Sequence, residues 1–172
     1  MESVLDRVIK QNTENVNLLK TKDYNIFSVL QIQSKEVLIC RMIADLLNPR
    51  GQHGAGAEYL KIFLRDCLGM EKMDTKLADQ AIVTAEYAID DERRIDIVIE
   101  IGSYFLPIEV KIYAADQKSQ CFDYYQYAKR RDAQAKVYYL TLDGHRPGKD
   151  STSSGNRSVT EEDIVCLSFR EH

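Results

Sequence analysis

Three charged residues in one short stretch are the first place to look for chemistry. Residues 94–113 read RIDIVIEIGSYFLPIEVKIY. Ile95, Ile97, Ile99 and Ile101 alternate with Asp96, Val98 and Glu100, and Ile108, Val110 and Ile112 alternate with Glu109, Lys111 and Tyr113. Alternation of β-branched residues at period two predicts two strands. Gly102 and Ser103 supply turn chemistry, and Pro107 stands where the second strand would begin. In a hairpin, the isoleucines make one unbroken apolar face and Asp96, Glu109 and Lys111 share the other. Cross-strand neighbours there lie about 5–8 Å apart at Cβ. Two carboxylates and an ammonium within that radius can hold a divalent metal and still offer a donor to a phosphate. Magnesium suits such a pair, because it asks for few carboxylates, octahedral oxygen geometry and several retained waters. The plainer reading is a solvated sheet face with a cross-strand Glu109–Lys111 ion pair.

The elements that must position these residues follow from periodicity. Residues 3–20 carry Leu5, Val8, Ile9, Val16 and Leu19 at helical spacing, the pattern of a packing helix. A short apolar segment follows at 26–32. Ser34 is placed to cap a helix over 35–48 that Pro49 stops, with Ile39, Cys40, Ile43 and Leu47 as its apolar stripe. Projected back one turn, that stripe passes through Glu36. Two roles are open for this acid: a first-turn carboxylate favoured by the helix dipole, or a third carboxylate aimed at Asp96 and Glu109.

The glycine-rich loop at 48–56 follows a helix and lacks the Lys-Ser/Thr of a phosphate-binding loop, so a nucleotide cradle is a weak reading. His53 in it reads as a loop histidine bonded to the backbone. A helix over 57–68 turns Leu60, Phe63, Leu64 and Cys67 inward and ends at Gly69. Residues 70–79 read as irregular or partly helical and 81–89 as a strand, with Glu86 exposed or ion-paired. After the hairpin, Asp116 is placed to cap a helix over 117–131. Gln117, Gln120, Tyr124 and Tyr127 share a face of that helix, suited either to a sugar-phosphate backbone or to half-buried support of the Glu-x-Lys strand. Lys129, Arg130 and Arg131 close it with a basic cluster that suits a helix C-terminus. A strand over 136–142, a polar loop over 143–158 expected to be mobile, and a strand over 164–169 complete the chain.

Composition narrows the class. At 172 residues, with 44% hydrophobic and 29% charged residues, the chain has enough apolar material for one sizeable core. We therefore expect a single domain over 1–172, with a helical extension at 1–24 and a core at 25–172. A net charge of −4 gives no whole-protein attraction to nucleic acid, so any such binding needs a local basic patch. No run approaches the roughly 20 apolar residues of a membrane span, and the amphipathic, acid-containing N-terminus is unlike a signal peptide. Cys40, Cys67, Cys121 and Cys166 are widely spaced and read as buried thiols in a reducing cytoplasm rather than disulfides or zinc ligands.

Taken in order, a helix with an acid, a strand, a strand with Asp96, a strand with Glu109-Val110-Lys111, a helix and a strand resemble the PD-(D/E)XK nuclease superfamily. Glu36 matches the helical glutamate of many members, and Gln120 with Tyr124 matches a QxxxY helix motif. NIFSVLQIQSKEVLICRMIADLLNPRGQHGAGAEYLKIFL is similar to the N-terminal segment of a prokaryotic family in that superfamily. The resemblance spans roughly 25–169. Departures are Ile95, where Pro often precedes the aspartate, and Val110, where relatives often carry a polar residue.

The resemblance implies an α/β (mixed α+β sheet), restriction-endonuclease-like αβββαβ core with additional N-terminal helices. It implies a Mg²⁺-dependent phosphodiesterase, with Mn²⁺ able to substitute. Asp96, Glu109, Glu36 and the Val110 carbonyl would hold metal. Lys111 would orient and help deprotonate the attacking water and stabilise phosphorane charge. Gln120 and Tyr124 would position Lys111 or the phosphate backbone, while Lys129, Arg130, Arg131 and Arg50 would contact phosphates in a salt-sensitive, sequence-independent way. The implied partner is nucleic acid, DNA favoured over RNA, in a setting such as defence against foreign DNA, with a homodimer or larger assembly compatible. Members usually continue beyond the last strand, so the chain is expected to be a short member, a fragment or one domain of an assembly. The alternative is a non-cutting module that binds nucleic acid or a protein on the same fold.

Overall fold

The alternating stretch over 81–113 folds as a three-stranded antiparallel meander. Strand β1 is Ile82–Ala88, β2 is Arg94–Ile101 and β3 is Tyr104–Lys111. They belong to a computed structural model that describes residues 26–71 and 73–171. The predicted helix over 3–20 lies outside the described residues. Two compact units make up the chain, Met1–Gln33 and Ser34–His172. In the first, the described part holds a single helical turn, α1, Ile26–Val29.

In the second unit, helix α2 (Glu36–Leu47) and helix α3 (Glu58–Ile62) precede the meander, α3 continuing as a π-helical segment Phe63–Cys67. The short α4 (Thr75–Ala78) leads into β1. Helix α5 (Gln120–Arg131) then crosses to β4 (Val137–Thr141). A four-residue α6 (Lys149–Thr152) and a ribbon of β5 (Ser153–Ser154) and β6 (Arg157–Ser158) precede β7 (Ile164–Ser168). The five-stranded sheet has the order β1-β2-β3-β4-β7. Its first three strands are antiparallel, and β4 and β7 continue in parallel from β3. This is the expected αβββαβ core with one further strand.

Both faces of the sheet are covered. Cys40, Ala44 and Leu47 of α2 and Leu60 of α3 pack on Ile97, Ile99, Ile101, Leu106, Ile108 and Val110. Tyr124 and Ala128 of α5 pack on Ile95, Val98, Phe105 and Val137 of the other face, and Cys121 and Phe122 on Tyr139 and Ile164. The face expected to be solvated is therefore buried beneath α5.

Five local expectations need correction. Ile95 does not share a face with Ile97, Ile99 and Ile101; it packs with Val98 under α5. Pro107 does not open a strand, since β3 begins at Tyr104. It lies one residue before Ile108, where pairing with β4 starts, so the ladder loses no N–H. Neither expected cap is used. Helix α2 starts after Lys35 with no side-chain cap, and α5 starts after Ser119, itself at φ +57. Asp116 cannot cap α5, because its carboxylate accepts from the Tyr139 hydroxyl and the Gly148 amide, both at 2.7 Å. Finally, the polar loop is pinned to the fold. The Ser119 amide donates to the Asp150 carbonyl, the Ser119 hydroxyl donates to the Ser153 carbonyl, and Ser151 is fully buried.

Candidate active site

The ends of β2 and β3 diverge beside α5, and the charged residues meet in that opening. Their ladder is regular as far as Ile97 opposite Ile108. Beyond it Asp96 replaces backbone pairing with its side chain: Oδ2 accepts the Val110 amide at 2.8 Å. The left-handed residue that accompanies this change is Glu86 of β1, at φ +54 in mid-strand. For a residue with a Cβ that conformation costs about 1–2 kcal/mol, and Arg41 of α2 holds the Glu86 carboxylate through Nε at 3.1 Å and Nη2 at 2.6 Å.

Glu109 and Lys111, two residues apart on one strand face, are 1% and 8% exposed. The Lys111 ammonium donates to Glu109 Oε1. Glu109 Oε2 is buried and meets no hydrogen-bond donor among the described residues; the Asp96 carboxylate lies within hydrogen-bond reach of Glu109, and while both are ionised they can only repel. Burial, with Asp96 alongside, pushes the Glu109 carboxyl well above the usual carboxylate range. Asp96 is also raised, by burial, with the Val110 amide working against the shift. For Lys111, burial favours the neutral amine, but Glu109 and Asp96 outweigh it and raise the pKa, so the group is a firmly charged ammonium.

Glu36 reaches the same opening from the first turn of α2. Its Oε1 accepts three backbone amides, those of Ile112 (2.7 Å), Tyr113 (3.1 Å) and Ala114 (3.0 Å). Burial would raise its pKa, but these amides and the Lys111 charge hold it below 4.5. One oxygen of Glu36 thus fixes the chain leaving β3.

Gln120 and Tyr124 stand behind the carboxylates as a hydrogen-bonded pair. Gln120 Nε2 donates to the Tyr124 hydroxyl at 3.1 Å, and that hydroxyl donates to the Arg94 carbonyl. Tyr124 is 1% exposed, so its ring is closed to a base. The pair is bonded to the entry to Asp96 on β2, not to the Glu-x-Lys strand expected for this helix face, and both residues line the cleft.

The basic cluster does not join the site. Lys129 pairs with Asp163 at 3.6 Å, Arg131 pairs with Glu100 at 2.5 Å, and Arg130 lies over the Tyr127 ring. These residues are at the far end of α5, about 15 Å along the helix from Gln120. Arg50 is used to bind the Ala81 carbonyl at 2.8 Å. The cations that line the cleft are Arg93, Arg94 and Lys111, and the sequence reading gave no role to the first two. Arg93 braces the wall through Asp123 at 3.2 Å, Gln117 at 2.8 Å and the Lys118 carbonyl at 2.5 Å. Arg94 is exposed at the mouth. A signal was available: Arg94 is two residues from Asp96 on the same strand.

Other candidates resolve to structure. His53 is a backbone-bonded loop residue as expected: Nδ1 accepts the Ala55 amide, and Nε2 faces the Asn48 carbonyl, each at 3.1 Å. A Cβ on Gly51 would lie 2.2 Å from the Asp45 carbonyl oxygen, which explains that glycine. Burial pushes the Cys121 thiol up to about 12 and Cys40 higher still, so neither is a nucleophile.

Whether the residues suit a metal can be judged from their oxygens. Among the described residues no three His, Cys, Asp or Glu side chains gather tightly enough to hold an ion by themselves. A partnerless Glu109 oxygen beside Asp96 nevertheless fits a hard cation that takes few protein ligands and keeps the rest of its shell for water or phosphate.

A mixed sheet between helices, with an aspartate on one strand and Glu-x-Lys on the next, defines a restriction-endonuclease-like fold. A family model described as PD-(D/E)XK nuclease superfamily matches residues 24–169, and the chain belongs to that superfamily. No curated protein and no solved structure gives a significant match.

Proposed function

We propose that this protein is a divalent-metal-dependent nuclease that hydrolyses phosphodiester bonds, with DNA preferred over RNA. The observation that carries this reading is the orphaned Oε2 of Glu109, a carboxylate oxygen buried next to Asp96. Leaving such an atom without a partner is costly, and a bound cation supplies one. Asp96, Glu109 and the Val110 carbonyl would hold Mg²⁺, with Mn²⁺ as a substitute, and Glu36 has a second oxygen to contribute. When bound, the metal lowers the pKa of a water and offsets charge on the scissile phosphate.

This chain's own residues have distinct tasks. The Val110 amide fixes the angle of the Asp96 carboxylate. Lys111, paired with Glu109 at the edge of the cleft, would orient the attacking water and donate to a phosphate oxygen as negative charge develops there. Arg94, at the mouth, meets the phosphate backbone. We place the protein in the cytoplasm, where buried thiols such as Cys40 and Cys121 stay reduced. Among the described residues no helix is long and apolar enough to cross a membrane.

The test is cleavage of labelled single-stranded DNA, double-stranded DNA and RNA with Mg²⁺, Mn²⁺ or EDTA, beside Lys111→Ala. Metal-dependent cutting that the variant loses supports the reading, and the most rapidly cut substrate identifies the nucleic acid. Absence of both cutting and metal binding overturns it and leaves a binding module on a nuclease fold.

A further inference from the structure

We propose that Glu86 is a positioning residue for Asp96, acting through its left-handed backbone rather than its carboxylate. The consequence for metal affinity rests on the nuclease reading above, but the geometry does not. Strands β1 and β2 pair regularly on both sides of one rung, Ala85 with Ile97 and Tyr87 with Ile95; the rung skipped is Glu86 with Asp96. At that rung both strands turn over. Val83 and Ala85 pack against the α2 side of the sheet, whereas Tyr87 and Ile89 pack under α5. Ile97 and Ile95 divide in the same way.

A reversal in one strand alone would break the ladder. Made in both at the same rung, it preserves the flanking pairs and releases Asp96 from backbone pairing with β3. Asp96 can then present its carboxylate to the Val110 amide. A positive φ at position 86 drives the reversal, and only glycine adopts that conformation without penalty. Arg41 compensates by gripping the Glu86 carboxylate. Glu86 is not among the residues lining the cleft, so its carboxylate is not offered to a ligand there. Helix α2 thereby holds both flanks of the site, Glu86 through Arg41 and the chain after β3 through Glu36.

The experiment compares Glu86→Val and Glu86→Gly in the full chain. Hydrogen exchange of the Val110 amide, Mn²⁺ affinity by calorimetry and Tm are read together. Valine resists positive φ and is expected to speed Val110 exchange and weaken Mn²⁺ binding by about tenfold or more. Glycine keeps the turn and loses only an exposed ion pair, so both readouts should stay within about twofold of wild type. Should the valine variant fail to fold, Glu86→Ala takes its place in the comparison. Wild-type exchange at Val110 in the valine or alanine variant overturns the proposal, as does a glycine variant that is equally impaired. A wild-type protein that binds no Mn²⁺ overturns the metal reading alone, since Val110 exchange still decides the role of Glu86.

Discussion

The Val110 amide donates to Oδ2 of Asp96 at 2.8 Å, across a point where the two strands no longer pair through their backbones. This bond ties the aspartate to the middle residue of Glu109-Val110-Lys111. The three charged groups are therefore set by one strand junction rather than by three independent rotamers. Substitutions around that junction have different expected consequences.

Lys111→Ala should abolish turnover, by about 10²–10³-fold in kcat, while Mn²⁺ still binds. It also leaves Glu109 without its cation in a site where the ion pair is 9% and 1% exposed. Removing one partner of such a pair costs about 3 kcal/mol. Urea unfolding in EDTA near neutral pH should show that loss, and protonation of Glu109 should reduce it in acid.

The carboxylates give stability a pH dependence of two opposite signs. Glu109 has a folded pKa raised above 4.5, so the native state holds its proton more tightly than the unfolded state does. Its contribution is fully favourable below 4.5 and is lost as pH rises through the folded value. Glu36 has a folded pKa below 4.5; it stabilises above that value, and the benefit is lost as pH falls through the folded pKa. In EDTA, Tm should fall as pH rises above 4.5 and through the raised folded pKa of Glu109, and Glu109→Gln should flatten that limb. Saturating Mn²⁺ should restore it, because metal binds the ionised carboxylate. Glu36→Gln should flatten only the acid limb.

Tyr124→Phe removes the donor to the Arg94 carbonyl and the acceptor for Gln120 while keeping the buried ring. The expected stability loss is about 1–2 kcal/mol. Because the hydroxyl acts through the entry to Asp96, kcat should fall about tenfold with KM unchanged. A rise in KM at constant kcat would assign Tyr124 to substrate binding after all.

Phosphate contacts should map to the cleft mouth and not to the end of α5. Arg94→Ala should weaken binding to all sequences alike and reduce the salt slope by about 0.7–0.9. A triple Lys129→Ala, Arg130→Ala, Arg131→Ala change should leave affinity within about twofold, since Lys129 and Arg131 are already paired. The cleft is lined by five acids (Glu36, Asp91, Glu92, Asp96, Glu109) against three bases (Arg93, Arg94, Lys111). Binding measured in EDTA should therefore be far weaker than in Ca²⁺ or Mn²⁺.

Much of this arrangement is legible in the chain itself. Alternating isoleucines on either side of a glycine turn read as a hairpin, and the hairpin brings Asp96 near Glu109 and Lys111. The turned-over rung is not legible, because nothing in the alternation marks Glu86 as left-handed; Ile95 is misassigned for that reason. Asp116 has the composition of a cap, and only Tyr139 and Gly148, distant in sequence, show why it is not one. Lys129, Arg130 and Arg131 look free until Asp163, just before β7, pairs with Lys129 and Glu100 of β2 pairs with Arg131. In each case the local pattern is correct about residue type and silent about the long-range partner.

The grip of Glu36 on Ile112 spans 76 residues, against 14 for Asp96 and Val110. Contacts of such different reach form at different times, since closing the longer loop carries the larger entropic cost. The meander can form while α2 is still undocked, and the chain leaving β3 is secured last. Pulse-labelled exchange during refolding should protect the Val98 and Leu106 amides before that of Ile112. A refolding chain would then pass through a stage in which Asp96 already meets the Val110 amide while the chain after Lys111 is still unsecured, and on the proposed nuclease reading that stage would bind metal more weakly than the native protein.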